Sequence, residues 1–388
     1  MQVGVFLLGA VPMPDAGPGD PQPTDRRASN ELVWETTERL VDLGVVADRL
    51  GYDYFFLTEH HFQHEGYEVI PNAILAGLVV AERTERIKIG ALVHVLPQWH
   101  PLRFAEDFAT LHNFSGGRAV LAIGRGTVPR EAAPLGATVG STDDPAKRAE
   151  QDQRNRDMFA EAIEVVDLAL KRERFSFHGR HFDVPPAGIP DRGGEVEELT
   201  LTPRPLWPFE EWQTISSPPT LEAVARRGVG GIWWNIHPDF LRAQWDEFGR
   251  IWEEEHETAL GAGEQRMMVL NVRVEDTHEA AVAAARPGFD EHWKFLGPYG
   301  RTKGFKGPDG EPAPNGWLPT LEVAMEQRIQ LVGTPDDVAE QIVDRMSQVD
   351  ATHITLYPQC MGDAYEVFEE QLARIAEEVL PQVDKQVG

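Results

Sequence analysis

The stretch FFLTEHHFQHEGYEVIPN, Phe55 to Asn72, runs from an apolar segment straight into Glu59, His60 and His61, with His64 close behind. Carboxylates and imidazoles at the end of a buried run support three readings. They can hold a metal, exchange protons beside a bound cofactor, or satisfy the hydrogen bonds of a polar loop. Adjacent residues on an extended chain point to opposite sides. Glu59 and His61 therefore share one side, and His60 faces the other. No H-E-x-x-H motif is present and no H-x-H ends the first strand, so the metal reading is the weakest of the three. His60 is the acid–base candidate, because an unperturbed imidazole titrates near pH ~6.5 and exchanges protons at neutral pH.

Two further segments carry chemistry-bearing residues. IGRG, Ile123 to Gly126, places Arg125 between two glycines. Glycine lets a ligand approach the backbone, and the guanidinium is a fork for phosphate; a surface ion pair accounts for Arg125 equally well. In TISSPPTLEAVARRG, Ser216 and Ser217 precede a helix opening at Pro218–Pro219, with Thr220 in its first turn. Hydroxyls and free N–H groups at a helix start seat a phosphate, although plain capping by Ser217 also fits. Phe6, Trp233 and Trp234 are candidates for a hydrophobic substrate pocket, and core packing serves the tryptophans as well.

The elements that must position these residues alternate between β-type and amphipathic runs. Strands are expected over residues 2–8, 54–58, 87–93, 119–123, 213–216, 231–234, 267–274 and 353–357. Helices are expected over 73–82, 102–114, 146–171 and 364–379, after residue 216, and from Pro238. A further helix begins near Ser29 or Asn30 and buries Leu40, Gly44 and Ala47 on one face. Thr334, Pro335 and Asp337 form a helix-start signature. The pattern breaks near residues 174–212, where a hairpin turning at His178–Gly179 is expected, and again near 297–327. Eight strand–helix units predict one (β/α)8 barrel over residues 1–388 with insertions there, and its site lies at the C-terminal strand ends. A doubly wound sheet is the runner-up, but GPGDPQP after the first strand is loop and no Gly-rich dinucleotide fingerprint. Loops after strands one, four and seven can roof the mouth.

Composition narrows the class. The 388 residues are 41% hydrophobic and carry 36 Lys plus Arg against 63 Asp plus Glu, a formal charge of −27. Such a surface repels phosphate backbones, which argues against nucleic-acid binding. An anionic ligand must be held by local arginines and helix starts. No run of 18 apolar residues predicts a membrane span, and MQVGVFLLGAVP reads as a first strand with no secretory leader. Cys360 is the only cysteine, so no disulfide forms within the chain and thiol-ligated zinc is not expected. A cytoplasmic enzyme fits.

The segment Phe55 to Leu135 closely resembles the bacterial luciferase-like, flavin-dependent monooxygenases, especially the luciferase α subunit. The resemblance is carried by LTEHHF, by VLPxxHPxRxAED (Val95–Asp107), by SGGRAVLAIGRG (Ser115–Gly126) and by LVGTPDDVAEQI (Leu331–Ile342). It covers most of the chain and is weakest at residues 138–153, 174–212 and 297–327. It implies a barrel, usually dimeric and here expected as a homodimer, that uses FMN reduced by a partner NAD(P)H:flavin reductase, together with O2. By matching position, Glu59 lies near the flavin and His60 is the catalytic histidine. Arg125, Ser217 and Thr220 face the FMN phosphate, joined by Arg156 of RNRDMF, though the preceding segment is longer here. Leu92–Val93 falls where the family has a non-prolyl cis peptide beneath the isoalloxazine ring. Two positions depart: Gly124 replaces a reactive cysteine, and Ser216 replaces a glutamate, so light emission need not carry over. The expected activity is oxygenation of a hydrophobic aldehyde, cyclic ketone or terpene. A deazaflavin-dependent dehydrogenase of the same fold is the alternative, and a non-catalytic flavin-binding subunit is a third reading that the presence of His60 disfavours.

Overall fold

The computed structural model describes residues 1–19, 26–126, 128–140, 144–314, 316–358 and 360–387. Part of the GPGDPQP stretch expected as loop therefore lies outside the described residues. Eight parallel strands close into a barrel: β1 Gln2–Phe6, β2 Tyr54–Leu57, β3 Lys88–Ala91, β4 Ala119–Gly124, β5 Glu211–Thr214, β6 Gly230–Trp234, β7 Arg266–Val274 and β8 His353–Tyr357. Closure runs through β8 pairing with both β1 and β7, and β4 pairing with β5. The doubly wound alternative is excluded by that closure.

Period-two alternation sorts the strand side chains into two layers. Phe6, Leu8, Tyr54, Phe56, Val120, Ala122, Ile232, Met267 and Val269 pack in one cluster inside the barrel and toward its mouth. Val3, Val5, Phe55, Leu57, Leu121, Ile123, Trp233 and Met268 belong to the cluster between the strands and the surrounding helices.

The helices that bear on the site are α1 Asn30–Leu50, α2 Ala73–Glu82, α3 Pro101–Phe114, α4 Pro145–Lys171, α5 Pro218–Arg227, α6 Pro238–His256, α7 His278–Leu296 and α8 Pro335–Ser347. Ser29 caps α1 by accepting from Leu32 N, and Leu40, Gly44 and Ala47 are buried on its inner face. Thr334 and Asp337 exchange bonds with each other's backbone at the start of α8, a complete capping box.

Three local expectations are corrected. Strand β5 begins and ends two residues earlier than expected, so Ser216 and Ser217 stand in the loop beyond it. The segment Gln330–Gly333, without an expected strand of its own, pairs with the C-terminal half of β7. The hairpin near residue 178 pairs Phe177–His178 with Asp183–Val184, its turn lying after His178, and a second small hairpin joins Pro190–Asp191 to Gly194–Glu195. Among the described residues, no helix is long and apolar enough to cross a membrane.

Candidate active site

The loop after β2 is tied down before it presents any chemistry. Thr58 Oγ1 donates to Leu8 O at 2.7 Å, and His60 N donates to Ile70 O at 3.0 Å. Glu59 borders the cleft yet is almost wholly buried. Its carboxylate accepts from Trp99 Nε1 at 2.7 Å and lies 3.2 Å from His94 Nδ1, with His61 Nε2 at 3.8 Å. Burial opposes its charge, yet the nearby His61 and His94 rings and the Trp99 donor hold it at about 2. Glu59 therefore fixes the wall, its oxygens being taken up by that shell.

His60 emerges on the other side. Its Nε2 lies 2.9 Å from Glu68 Oε2, and its Nδ1 lies 2.9 and 3.1 Å from the two oxygens of Glu131. Burial disfavours the imidazolium, but the Glu68 and Glu131 carboxylates outweigh it and push the ring up to about 10. The two carboxylates thus displace the ring from the ordinary imidazole range of pH ~6.5 toward its protonated form. Burial in turn raises the Glu68 carboxyl, against the pull of His60. Gln63 Nε2 donates to Glu131, and Arg130 bridges Gln63 to Glu65.

The residues expected at a phosphate border the same cleft as His60. Arg125 leaves the end of β4, and its Nη1 reaches Asn155 Oδ1 at 3.4 Å. Burial lowers the Arg125 pKa, Asp152 opposes that, and the neighbouring Arg156 lowers it further. A bound anion would relieve both penalties. The amide nitrogen of Asn155, fully buried, has no hydrogen-bond partner. Arg156 is exposed and is held by Gln153 Oε1 at 2.9 Å. Ser217 precedes α5 but does not cap it through its side chain; its hydroxyl pairs with Thr220 Oγ1 at 2.9 Å. Pro218 and Pro219 carry no N–H, so the seat relies on the hydroxyls, the Thr220 N–H and the helix dipole.

The cleft, of about 1140 Å³, is lined by both apolar and charged side chains, and all of the expected residues except Trp233 border it. The Leu92–Val93 peptide is cis. A Cβ at Gly124 would collide with Val93 Cγ2 and stand 3.1 Å from Thr214 Oγ1, so glycine is what lets Val93 fill this wall. Trp234 faces the cleft, edge-on to Phe6 at 5.3 Å, and its Nε1 donates to Asn271 Oδ1 at 2.8 Å. Trp233, one residue earlier, points outward and is 1% exposed. It packs on Trp245 and Phe248 of α6 and donates to Gln244. Its assignment to the pocket is corrected on strand parity.

Glu68, Glu131 and Arg301 also border the cleft and were not found by reading the sequence. Glu68 sits within the same EHHF-bearing stretch, and Glu131 follows IGRG; the signal was that both loops leave barrel strands toward one mouth. Arg301 lies in the segment read only as an insertion. Among the described residues, no group of three or more His, Cys, Asp or Glu is placed to hold a metal ion.

Comparison with known proteins places this geometry. A family model described as luciferase-like monooxygenase matches residues 1–352. The chain is 27% identical over 323 residues to 3,6-diketocamphane 1,6-monooxygenase of Pseudomonas putida, covering 77% of this chain and 80% of that one. It is 34% identical over 157 residues to an F420-dependent glucose-6-phosphate dehydrogenase of Microbacterium testaceum, covering 39% and 43% respectively. Among solved structures, it superimposes with a TM-score of 0.73 on the type II Baeyer–Villiger oxygenating constituent of 3,6-diketocamphane monooxygenase of Pseudomonas putida in complex with FMN. That match has 22% identity and covers 99% and 98% of the two chains; it speaks to the fold.

Proposed function

The chain belongs to the luciferase-like monooxygenase family, and we propose that it is an FMN-dependent monooxygenase acting on a hydrophobic carbonyl compound or terpene. The observation that carries this reading is that one cleft brings arginines and hydroxyls, apolar side chains and His60 together. Arg125, Arg156, Ser217 and Thr220 line it, and Arg125 also meets the buried side chain of Asn155. Leu92, Val93 and Trp234 border the same space, as does His60. A flavin that ends in a phosphate fits this donor set: Arg125, Arg156 and the two hydroxyls hold the anion, and Leu92, Val93, Phe6 and Trp234 line the space for ring and substrate. When bound, reduced FMN supplies the electrons that activate O2. His60 holds a proton at the cleft surface, available to an oxygen atom that develops charge. The apolar walls exclude water from that step.

A partner NAD(P)H:flavin reductase supplies the reduced cofactor in this reading, and the assembly is a homodimer of single-barrel chains in the cytoplasm. Support for association comes from α2, whose Leu75 and Val79 are 62% and 46% exposed. The test is oxygen uptake and product analysis with reduced FMN against a panel of aldehydes, cyclic ketones and monoterpenes. A parallel anaerobic assay uses oxidised F420 and secondary alcohols. Oxygenated product with FMN supports the proposal. Oxygen-independent hydride transfer with F420 alone overturns it in favour of the dehydrogenase reading.

A further inference from the structure

We propose that Glu68 is a positioning residue for His60: with Glu131 it clamps the ring between two carboxylates, so that the ring is held in its protonated form and is not available as a base. The inference deepens the function proposed above and depends on it only for what receives the proton.

The geometry carries the argument. A neutral imidazole has one protonated and one acceptor nitrogen. Here both nitrogens meet carboxylate oxygens, Nε2 at 2.9 Å from Glu68 and Nδ1 at 2.9 Å from Glu131. An acceptor nitrogen facing an ionised carboxylate is repulsive, so with both carboxyl groups ionised this arrangement selects the ring with a proton on each side. The two carboxylates are not equivalent. Glu131 is braced by Gln63, which Arg130 holds in turn, and both Glu131 oxygens engage Nδ1. Glu68 borders the cleft, and its Oε2 lies at ion-pair distance with no aligned hydrogen bond. Glu131 is thus the fixed post, and Glu68 supplies the second charge that holds the proton.

The other groups facing this clamp are few. From the segment after α7, Arg301 opposes the Glu68 charge, and Tyr299 senses both Glu68 and Glu131. Arg301 in turn feels Arg125 from β4. Phe295 of α7 meets the His60 ring edge-on at 6.3 Å and brings no charge. Arg130, from the short helix that carries Glu131, directs its charge to Glu65 at 2.7 Å. The two carboxylates are the charged groups in contact with the ring, and they displace His60 upward.

The test is NMR titration of the His60 ring in the full chain, in the wild type, E68Q and E131Q, with thermal melts as the folding control. The wild-type ring is expected to keep both protons through neutral pH. E68Q should lower its titration by about 1–3 pH units, the span usual for loss of one contacting opposite charge. E68D should recover part of the shift. A wild-type ring titrating near the ordinary imidazole range, or an E68Q ring that titrates as the wild type does, overturns the clamp. If E68Q does not fold, E131Q with E68D gives the same decision: no shift in either variant overturns it. A shifted titration in a protein that oxygenates nothing leaves the clamp standing and removes the monooxygenase reading alone.

Discussion

Trp99 Nε1 donates to Glu59 Oε1 at 2.7 Å, joining the loop after β2 to the turn that precedes α3. The bond belongs to a buried shell in which Glu59 also meets His94 and the Val95 N–H. A carboxylate so held has its folded pKa depressed, here to about 2. Its stabilising contribution is therefore fully present above the unfolded glutamate value of ~4.3 and is lost as pH falls through the folded value. Melting midpoints of the wild type should decline between about pH 4.3 and pH 2 more steeply than those of Glu59→Gln. The substitution itself should cost about 1–3 kcal/mol at neutral pH, because Trp99 and His94 keep donors for which the amide is a poorer acceptor. Parallel slopes in the two proteins would refute this.

Arg125 provides the second prediction. Removing one charge-assisted contact to a phosphate costs about 1.5–3 kcal/mol, or roughly ten- to a hundredfold in affinity. Arg125→Ala should weaken FMN binding by that factor and leave riboflavin, which lacks the phosphate, nearly unchanged. Calorimetric titration with both flavins checks it. Equal losses would detach Arg125 from the phosphate.

Gly124 and Val93 should behave as one unit. Gly124→Ala places a methyl against Val93 Cγ2, and overpacking of this kind costs about 1–3 kcal/mol. Val93→Ala opens the space. The double variant should therefore be more stable than the two separate losses predict, and a double-mutant cycle in urea measures the coupling. Simple additivity would mean the wall relaxes elsewhere.

The adjacent tryptophans should separate cleanly. Trp233→Ala empties a packed site among Trp245 and Phe248 and should cost about 3–5 kcal/mol, with substrate preference unchanged in whatever enzyme survives. Trp234→Ala should cost less stability and alter KM across a series of substrates of increasing size. A shared effect on KM would contradict the outward placement of Trp233.

What the sequence determined by itself rests on local and periodic signals. Strand–helix alternation gave the barrel, because each strand's apolar run and each helix's stripe need the other for burial. The start of α8 was legible because a capping box is made by residues three apart. Even the opposite directions of Trp233 and Trp234 follow from the two-residue period of a strand, and that parity was available before any coordinates. Glu59, His60, Arg125 and Ser217 could be placed at strand ends on the same grounds. Only the tertiary structure decided which of their oxygens and nitrogens are free. Glu131 meets His60 across 71 positions of chain, and Trp99 reaches Glu59 across 40; barrel closure makes those neighbours, and no spacing in the sequence encodes them. The charge on His60 is decided there too, since an imidazole's proton depends on which carboxylates the fold delivers to its two nitrogens.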